Sequence, residues 1–255
     1  MVLTVNIENT IITFGVFDDD RLSFSASIAA SPNATEFEYA ASFQQILTLS
    51  HIPLIKIDGI ILASVVPMLT PKLKQACRLL FHTEPLLVSA GVKTGLNLKV
   101  STATLGTDFV CAAACAVREY QTPSVIVSLG TATTFSAIDG NGVFCGTAIA
   151  AGVQVSLEAL HQCAAQLPQA SIEPPQAVIG TNTAASMRSG LIYGTASMID
   201  GMCARFAAQL SGLPVFLATG QHAQDIIPYC DTPFVSDPHL VLKGLYYIYL
   251  KNKKQ

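Results

Sequence analysis

Glycine and hydroxyl residues are concentrated at residues 128–134, which read Ser-Leu-Gly-Thr-Ala-Thr-Thr. An apolar run precedes this stretch, and a second apolar run leads from it to a turn at 139–142. This order predicts a strand, a tight turn and another strand. Gly130 would let a ligand approach the backbone, and the threonine hydroxyls with exposed N–H groups suit a phosphate. A plain hairpin with hydroxyl residues on one face is the alternative interpretation.

A similar order of residues occurs near the N-terminus, where residues 3–20 read as strand, polar turn, strand and acidic turn. Asn6 then aligns with Ser128, and Glu8 aligns with Gly130, at an offset near half the chain length. A weak repeat at this period predicts a duplicated domain. We expect the two polar turns to face each other across a ligand cleft between the domains.

The chain has 255 residues, enough for one large domain or two of about 120 residues. The repeat favours two, at residues 1–117 and 118–255. Hydrophobic residues make up 51% of the sequence and charged residues 12%, so part of the apolar surface is predicted to lie against another subunit. No stretch of about 18 apolar residues occurs, which argues against a membrane protein. The net charge of −3 argues against nucleic acid as a partner.

The seven cysteines contain no C-x-x-C pair, which predicts small buried thiols in a reducing compartment. The sequence begins with a strand pattern, so we expect no signal peptide and a cytoplasmic location.

Strands and helices alternate after the first three strands of each half, which is typical of α/β units with mixed sheets. Thr35 and Thr183 are predicted to cap helices. Glycines 190, 194 and 201 share one helix face, a candidate dimer contact by analogy with close helix packing in membranes. Helices are predicted at 36–50, 71–81, 108–120, 154–165, 186–210 and 237–250.

Short motifs recur in one order along nearly the whole chain, and with them the sequence resembles the type III pantothenate kinases. These kinases are dimeric relatives of acetate kinase, sugar kinases, Hsp70 and actin. The matching motifs are Asn-Ile-Glu-Asn-Thr at 6–10, Ala-Ser-Val-Val-Pro at 63–67, Gly-Val-Lys-Thr-Gly-Leu-Asn at 91–97, Gly-Thr-Asp at 106–108, Gly-Thr-Ala-Thr-Thr at 130–134, Ile-Gly-Thr-Asn-Thr at 179–183, Ser-Gly at 189–190, Tyr-Gly at 193–194, Ala-Thr-Gly at 218–220, Asp-Pro at 237–238, and Leu242, Gly244 and Leu245.

The resemblance implies an α/β fold of two duplicated ribonuclease-H-like (actin-like ATPase) domains with mixed sheets and a ligand cleft between them. It implies that the γ-phosphoryl group of ATP, bound with Mg²⁺, is transferred to the terminal hydroxyl of pantothenate. The product would be 4'-phosphopantothenate, in the first step of coenzyme A synthesis. A homodimer and a monovalent cation, K⁺ or NH₄⁺, are also implied.

By the same resemblance, Asp108 is the catalytic base; an ordinary helix N-cap is the alternative role for a carboxylate at this place. Ser128 takes the position of a carboxylate associated with the cation. The implied ATP and phosphate contacts are Asn6, Asn9, Thr10, Gly130, Thr131 and Thr133. The implied pantothenate contacts are Val100, Gly106, Thr107, Phe109 and Thr183.

Several of these positions depart from the family pattern. The first motif in the family reads D-x-G-N-T, so Asn6 replaces an Asp and Glu8 replaces a Gly. Ser128 replaces the Asp of D-x-G-T-A-T-T, Phe109 replaces an Arg, and Val100 replaces a Tyr. Glu8 adds negative charge at a phosphate turn, and two such charges about 4 Å apart repel by roughly 1 kcal/mol in water.

Glu8 either turns aside from the phosphate turn or supplies the missing cation ligand from a different position. Two functions follow from these departures. One is a type III pantothenate kinase with weak or altered activity. The other is a non-catalytic paralogue that keeps the fold and the dimer and serves as a regulatory or binding protein.

Overall fold

The computed structural model describes residues 1–101, 105–164, 167 and 171–253. The chain forms two compact units. The first contains Met1–Leu96, Ser101–Arg118 and Leu240–Gln255, and the second contains Asn97–Val100 and Glu119–His239. The predicted halves, 1–117 and 118–255, therefore differ from these units mainly in the last helix, which belongs to the first unit.

The elements of the described residues alternate much as the sequence predicts. The strands are β1 (Val2–Ile7), β2 (Ile11–Asp18), β3 (Arg21–Ala29), β4 (Gly59–Ser64), β5 (Leu86–Leu87), β6 (Asn97–Leu98), β7 (Ser124–Leu129), β8 (Ala132–Ile138), β9 (Val143–Ala151), β10 (Val215–Thr219) and β11 (Phe234–Ser236). The helices are α1 (Glu36–Leu49), α2 (Thr70–Phe81), α3 (Thr107–Glu119), α4 (Val153–Cys163), α5 (Thr183–Ala207), α6 (Ala223–Ile226) and α7 (Leu240–Asn252). None of these helices is both long enough and apolar enough to span a membrane.

Each unit contains one mixed sheet, which confirms the predicted α/β class. The strand order is β3-β2-β1-β4-β5 in the first sheet and β11-β10-β7-β8-β9-β6 in the second. In the first, β1 is antiparallel to β2 and parallel to β4. In the second, β7 is antiparallel to β8 and parallel to β10. The two sheets thus share one topology, and β6 is an additional edge strand beside β9.

The second strand of each meander also carries an irregularity at the same place. The pairing register shifts just before Phe17 in β2 and just before Ile138 in β8. These two residues are equivalent, because Phe17 pairs with Val2 and Ile138 pairs with Ser124, the first residues of β1 and β7. A bulge retained at equivalent positions supports the predicted duplication, since bulges are structural features rather than random defects.

The turn after β1 is one residue longer than the turn after β7. Ile7 pairs with Ile12, whereas Leu129 pairs with Thr133. The predicted alignment of Asn6 with Ser128 is therefore correct before the turns. Beyond them the same offset would align Phe17 with Asp139, whereas the structure aligns Phe17 with Ile138.

One of the two predicted helix caps differs from the prediction. Helix α5 begins at Thr183, and its cap is Asn182 rather than Thr183, because the Asn182 side chain accepts a hydrogen bond of 2.9 Å from the Ala185 amide. The helix predicted at 154–165 corresponds to α4, and Ala165 lies outside the described residues. Thr35 caps α1 as predicted, in a reciprocal arrangement with Glu38.

Helix α7 packs directly against α3 within the first unit. A Cβ atom on Gly244 would overlap the backbone carbonyl of Cys111, so only glycine allows the two helices this close. The Tyr246 ring stacks on Phe17 with centroids 4.3 Å apart, and its hydroxyl donates to the Asp19 carbonyl at 2.5 Å. Helix α7 therefore holds α3 against the first sheet.

Replacing Gly244 by Ala is expected to destabilise the protein by about 2 kcal/mol, because the new methyl group must force α7 away from α3. Leu250→Ala, at a partly exposed position on the same helix, is the control and should cost less than about 1 kcal/mol. Urea unfolding followed by circular dichroism measures both. Equal stability of Gly244→Ala and wild type would contradict the packing of α7 on α3.

Candidate active site

The carboxyl ends of β1 and β4 lie side by side, with Asn6 paired to Ala63 and Ile7 paired to Ser64. Ligands of α/β sheets commonly bind just beyond the carboxyl ends of parallel strands. The turn that follows β1 starts at Glu8, whose amide donates to the Ile11 carbonyl at 3.0 Å. This edge of the first sheet therefore carries the first polar turn.

Helix α3 begins at the same edge. The Thr107 hydroxyl donates to the Ser64 carbonyl at 3.2 Å. The Ser64 hydroxyl in turn accepts from the Val66 amide at 3.1 Å and from the Thr70 hydroxyl at 2.7 Å. Ser64 thus connects β4 to the first turns of both α2 and α3. The sequence does not single out either residue: Ser64 lies in the motif at 63–67, and no sequence signal marks Thr70.

Asp108 lies in the first turn of α3, inside the helix rather than at its cap. One of its carboxylate oxygens, Oδ1, is buried and accepts no hydrogen bond from the described residues. A Cβ atom on Gly106 would overlap this oxygen, so the glycine leaves room for it. Burial raises the pKa of Asp108, and backbone hydrogen bonds at Phe109 and Asp108 oppose the rise. A buried oxygen without a partner marks a place where a proton or a cation would be stabilised.

Glu8 lies close enough to Asp108 for the two charges to interact. The Asn6 amide Nδ2 donates to Glu8 Oε1 at 2.9 Å, and Asn6 is only 4% exposed. Burial, followed by the charge of Asp108, raises the pKa of Glu8 to about 7, while the hydrogen bond from Asn6 lowers it. Glu8 therefore gains or loses its proton near neutral pH.

The second polar turn lies at the carboxyl end of β7 in the second unit. The Gly130 amide donates to the Ala132 carbonyl at 3.1 Å. A Cβ atom on Gly152 would overlap the carbonyl oxygens of the turn, and one on Gly220 would overlap the Leu129 backbone. Gly220 also has a φ of +96°, which favours glycine. Gly152 and Gly220 thus let two neighbouring segments of the chain pack closely against the turn.

Thr133 is buried inside the second unit rather than exposed at the turn. Its side chain is 0% exposed, and its Oγ1 has no hydrogen-bond partner among the described residues. It lies on the same face of β8 as Phe135, which belongs to the core formed with α4 and α5. Ser128 and Thr131 are partly exposed, so they are better placed than Thr133 to meet a phosphate.

The remaining predicted contacts are distributed over both units. Asn9 and Thr10 are exposed beside Glu8, and Thr183 is exposed at the start of α5. The first unit contains Asn6, Asn9, Thr10, Gly106, Thr107, Asp108 and Phe109. The second contains Val100, Ser128, Gly130, Thr131, Thr133 and Thr183.

Solved structures identify the class of fold. An activator of 2-hydroxyisocaproyl-CoA dehydratase from Clostridium difficile matches with a TM-score of 0.59 at 9% identity, covering 98% of this chain and 93% of that one. A ROK hexokinase from Thermus thermophilus matches with a TM-score of 0.53 at 15% identity, covering 99% of both chains. The chain therefore has the actin-like ATPase fold.

Sequence comparison identifies the family. The model of the type III pantothenate kinase family matches residues 2–205. The type III pantothenate kinase of Halalkalibacterium halodurans is 38% identical, covering 99% of this chain and 100% of that protein. The enzyme of the same name from a Geobacillus species is 37% identical, covering 100% of this chain and 100% of that protein. The one from Listeria monocytogenes is also 37% identical, covering 99% of this chain and 98% of that protein. The chain belongs to the type III pantothenate kinase family.

The residues at the first sheet's edge fit the metal ion that such a family uses with ATP. Magnesium prefers carboxylate oxygens. Glu8 and Asp108 supply two carboxylates, and the buried Oδ1 of Asp108 lacks a partner among the described residues. Ser128, the residue that the resemblance associates with a cation, offers only a neutral hydroxyl.

The raised pKa of Glu8 makes stability depend on pH. Because folding raises this pKa from 4.5 to about 7, the stabilisation is complete below pH 4.5 and is lost as the pH rises through 7. We expect the wild type to lose at most about 3 kcal/mol between pH 5 and pH 8 from this group, and Glu8→Gln to lose much less. Urea unfolding in EDTA at both pH values measures the difference.

Glu36→Gln, in the first turn of α1, is the matched control for that experiment. It should follow the wild type at both pH values. A Glu8→Gln variant with the same pH dependence as the wild type would contradict the proposed proton exchange at Glu8.

Proposed function

We propose that this protein is an ATP-dependent pantothenate kinase, which transfers the γ-phosphoryl group of ATP to the terminal hydroxyl of pantothenate. The products are 4'-phosphopantothenate and ADP. Similarity to pantothenate kinases over the full length supports this function. The single structural observation that carries it is the buried carboxylate oxygen of Asp108, in the first turn of α3, which has no hydrogen-bond partner among the described residues.

Asp108 is the proposed general base. As the pantothenate oxygen forms its bond to the γ-phosphorus, its proton passes to the Asp108 carboxylate, and the bond to the leaving ADP oxygen breaks. Phosphoryl transfer requires chiefly positioning and charge neutralisation. Burial raises the pKa of Asp108, which makes it a better proton acceptor than an exposed aspartate.

The phosphates are proposed to contact backbone amides and hydroxyls at the two polar turns. Gly130 and Thr131 provide the contacts of the second unit, and Asn6, Asn9 and Thr10 those of the first. Magnesium with ATP, and a monovalent cation such as K⁺ or NH₄⁺, would neutralise the phosphate charge. Ser128 is the proposed but weak site for the monovalent cation.

Pantothenate recognition is proposed to involve Gly106, Thr107 and Thr183 together with Phe109 and Val100. An arginine at position 109 could bind the pantothenate carboxylate through two hydrogen bonds, and Phe109 cannot. Pantothenate should therefore bind less tightly than in relatives with the arginine. A pantothenate analogue that lacks the carboxylate is a second possible substrate on the same grounds.

A second candidate function is a catalytically weak or inactive paralogue that acts as a regulatory or binding protein. The observation that favours it is the loss of charged groups at residues 6, 109 and 128. Losing one preorganised electrostatic group commonly lowers the rate about 10²- to 10³-fold. Wild-type protein without any turnover of pantothenate would favour this candidate over the kinase.

Asp108→Asn tests the kinase function. The amide retains the shape of the side chain but cannot accept the proton, so kcat should fall by about 10²- to 10⁴-fold. Asp18→Asn, at the exposed last residue of β2, is the control and should retain wild-type activity. Phosphopantothenate formation measured by mass spectrometry gives the rates. Turnover by the wild type that is unchanged in Asp108→Asn would exclude Asp108 as the base.

A homodimer is proposed to form through the exposed apolar face of α4 and α5. A Cβ atom on Gly190 or Gly194 would meet nothing within 4 Å, so this face of α5 is open. An open groove of about 370 Å³, lined in part by Leu160 and Met198, runs beside it. Ile149, on the neighbouring strand β9, is 67% exposed. Exposed apolar surface of this kind is typical of a protein interface.

Gly194→Lys is expected to convert the dimer to a monomer, because it places a charge in the apolar face. Asn141→Lys, in the exposed turn between β8 and β9, adds the same charge elsewhere and should leave the dimer intact. Size-exclusion chromatography with light scattering distinguishes the two states. A dimeric Gly194→Lys variant would show that the interface lies elsewhere.

A further inference from the structure

We propose that Glu8, together with Asp108, holds the divalent cation in this protein, and that Glu8 thereby replaces the carboxylate missing at position 6. This inference rests on the proposed function, because it names the residues that bind the metal used with ATP. It assigns a binding role to a residue that stands where the family motif has glycine. The argument depends on three observations within the first unit.

The first observation is the direct contact between positions 6 and 8. The Asn6 amide donates to the Glu8 carboxylate at 2.9 Å, so the carboxylate lies within hydrogen-bond distance of the side chain that replaces the family's aspartate. Asn6 is buried at the end of β1, and Glu8 is partly buried in the turn that follows. The negative charge absent from residue 6 is therefore present two residues further along the chain, and Asn6 orients it.

The second observation is the buried Oδ1 of Asp108, which lacks a hydrogen-bond partner among the described residues. Two hydrogen-bonded links bring Asp108 to the same edge as Glu8, where the two charges lie close enough to interact. Strand β1 pairs in parallel with β4, and the Thr107 hydroxyl binds the carbonyl of Ser64, the last residue of β4. This oxygen lies beside Gly106 and has no donor among the described residues, so it is available as a metal ligand.

The third observation is the charge around the two carboxylates. Within the described part of the chain, no lysine, arginine or histidine forms an ion pair with Glu8 or Asp108. The Asn6 amide is neutral and satisfies only one oxygen of Glu8. Two partly buried carboxylates without a cationic side chain repel each other, and a divalent cation between them removes that repulsion.

Binding of Mn²⁺ to the nucleotide-free protein tests the proposal, with Mn²⁺ as a probe for Mg²⁺ and with free Mn²⁺ measured by electron paramagnetic resonance. We expect one site in the wild type. Glu8→Gln should weaken binding by about 10-fold or more, a loss at least as large as that found when groups around a metal site are removed. Glu158→Gln, an exposed position on α4, removes the same charge and should bind like the wild type.

A motif exchange provides a second, stricter test. Glu8→Gly should lose Mn²⁺ affinity as Glu8→Gln does, and the double variant Asn6→Asp/Glu8→Gly, which restores the family motif D-x-G-N-T, should recover it. Circular dichroism checks that each variant is folded. If Glu8→Gly is not folded, Glu8→Ala takes its place as the variant without the carboxylate. Recovery in the double variant supports the replacement of one carboxylate by the other.

Wild-type affinity in Glu8→Gln would overturn the proposal and would indicate that the two carboxyls only share a proton. The test is independent of turnover, because it uses no nucleotide and no pantothenate. Metal binding that depends on Glu8 without any kinase activity would retain this proposal and reject the proposed function. Kinase activity together with metal binding that does not depend on Glu8 would retain the proposed function and reject this proposal.

Discussion

Two carboxylates, Glu8 and Asp108, interact at the carboxyl edge of the first sheet, and their mutual repulsion must be relieved by a proton or a cation. Burial, and after it the charge of Asp108, raises the pKa of Glu8 to about 7. The surrounding structure keeps the two groups in place. Parallel pairing of β1 with β4 aligns the strand ends, and the bond from Thr107 to Ser64 fixes the start of α3. Helix α7 packs behind α3 through Gly244 and prevents it from moving away.

Such an arrangement suits phosphoryl transfer, in which catalysis depends on charge neutralisation around the phosphates. This chain has Asn6 and Ser128 at the two positions where the resemblance in sequence implies carboxylates. A carboxylate at position 8 preserves negative charge at the first polar turn only if a cation binds there, because Glu8 alone would repel a phosphate. Phe109 has a separate proposed effect, on binding of the substrate's carboxylate rather than of the phosphates, because the resemblance implies an arginine there.

The sequence was sufficient to predict most of the fold, because its signals are local or periodic. Apolar runs marked the strands, Thr35 marked a helix cap, and the repeated polar turn marked the duplication. Features that depend on distant contacts were not predictable. The last helix packs in the first unit, where Gly244 fits against Cys111. These two residues are far apart in the chain, so no local pattern encodes their contact. Thr133 was predicted to bind phosphate from its motif, but the alternation of β8 directs it into the core.

The contact between Asn6 and Glu8 requires the folded turn, so the sequence alone left open whether Glu8 turns aside.

Anomalous diffraction from crystals grown with Mn²⁺ tests the central claim most directly. The account predicts an anomalous peak at the carboxyl end of β1, within about 2.5 Å of a carboxylate oxygen from both Glu8 and Asp108. A strong Mn²⁺ peak elsewhere in the protein, with Glu8 and Asp108 joined only by a shared hydrogen bond, would contradict it.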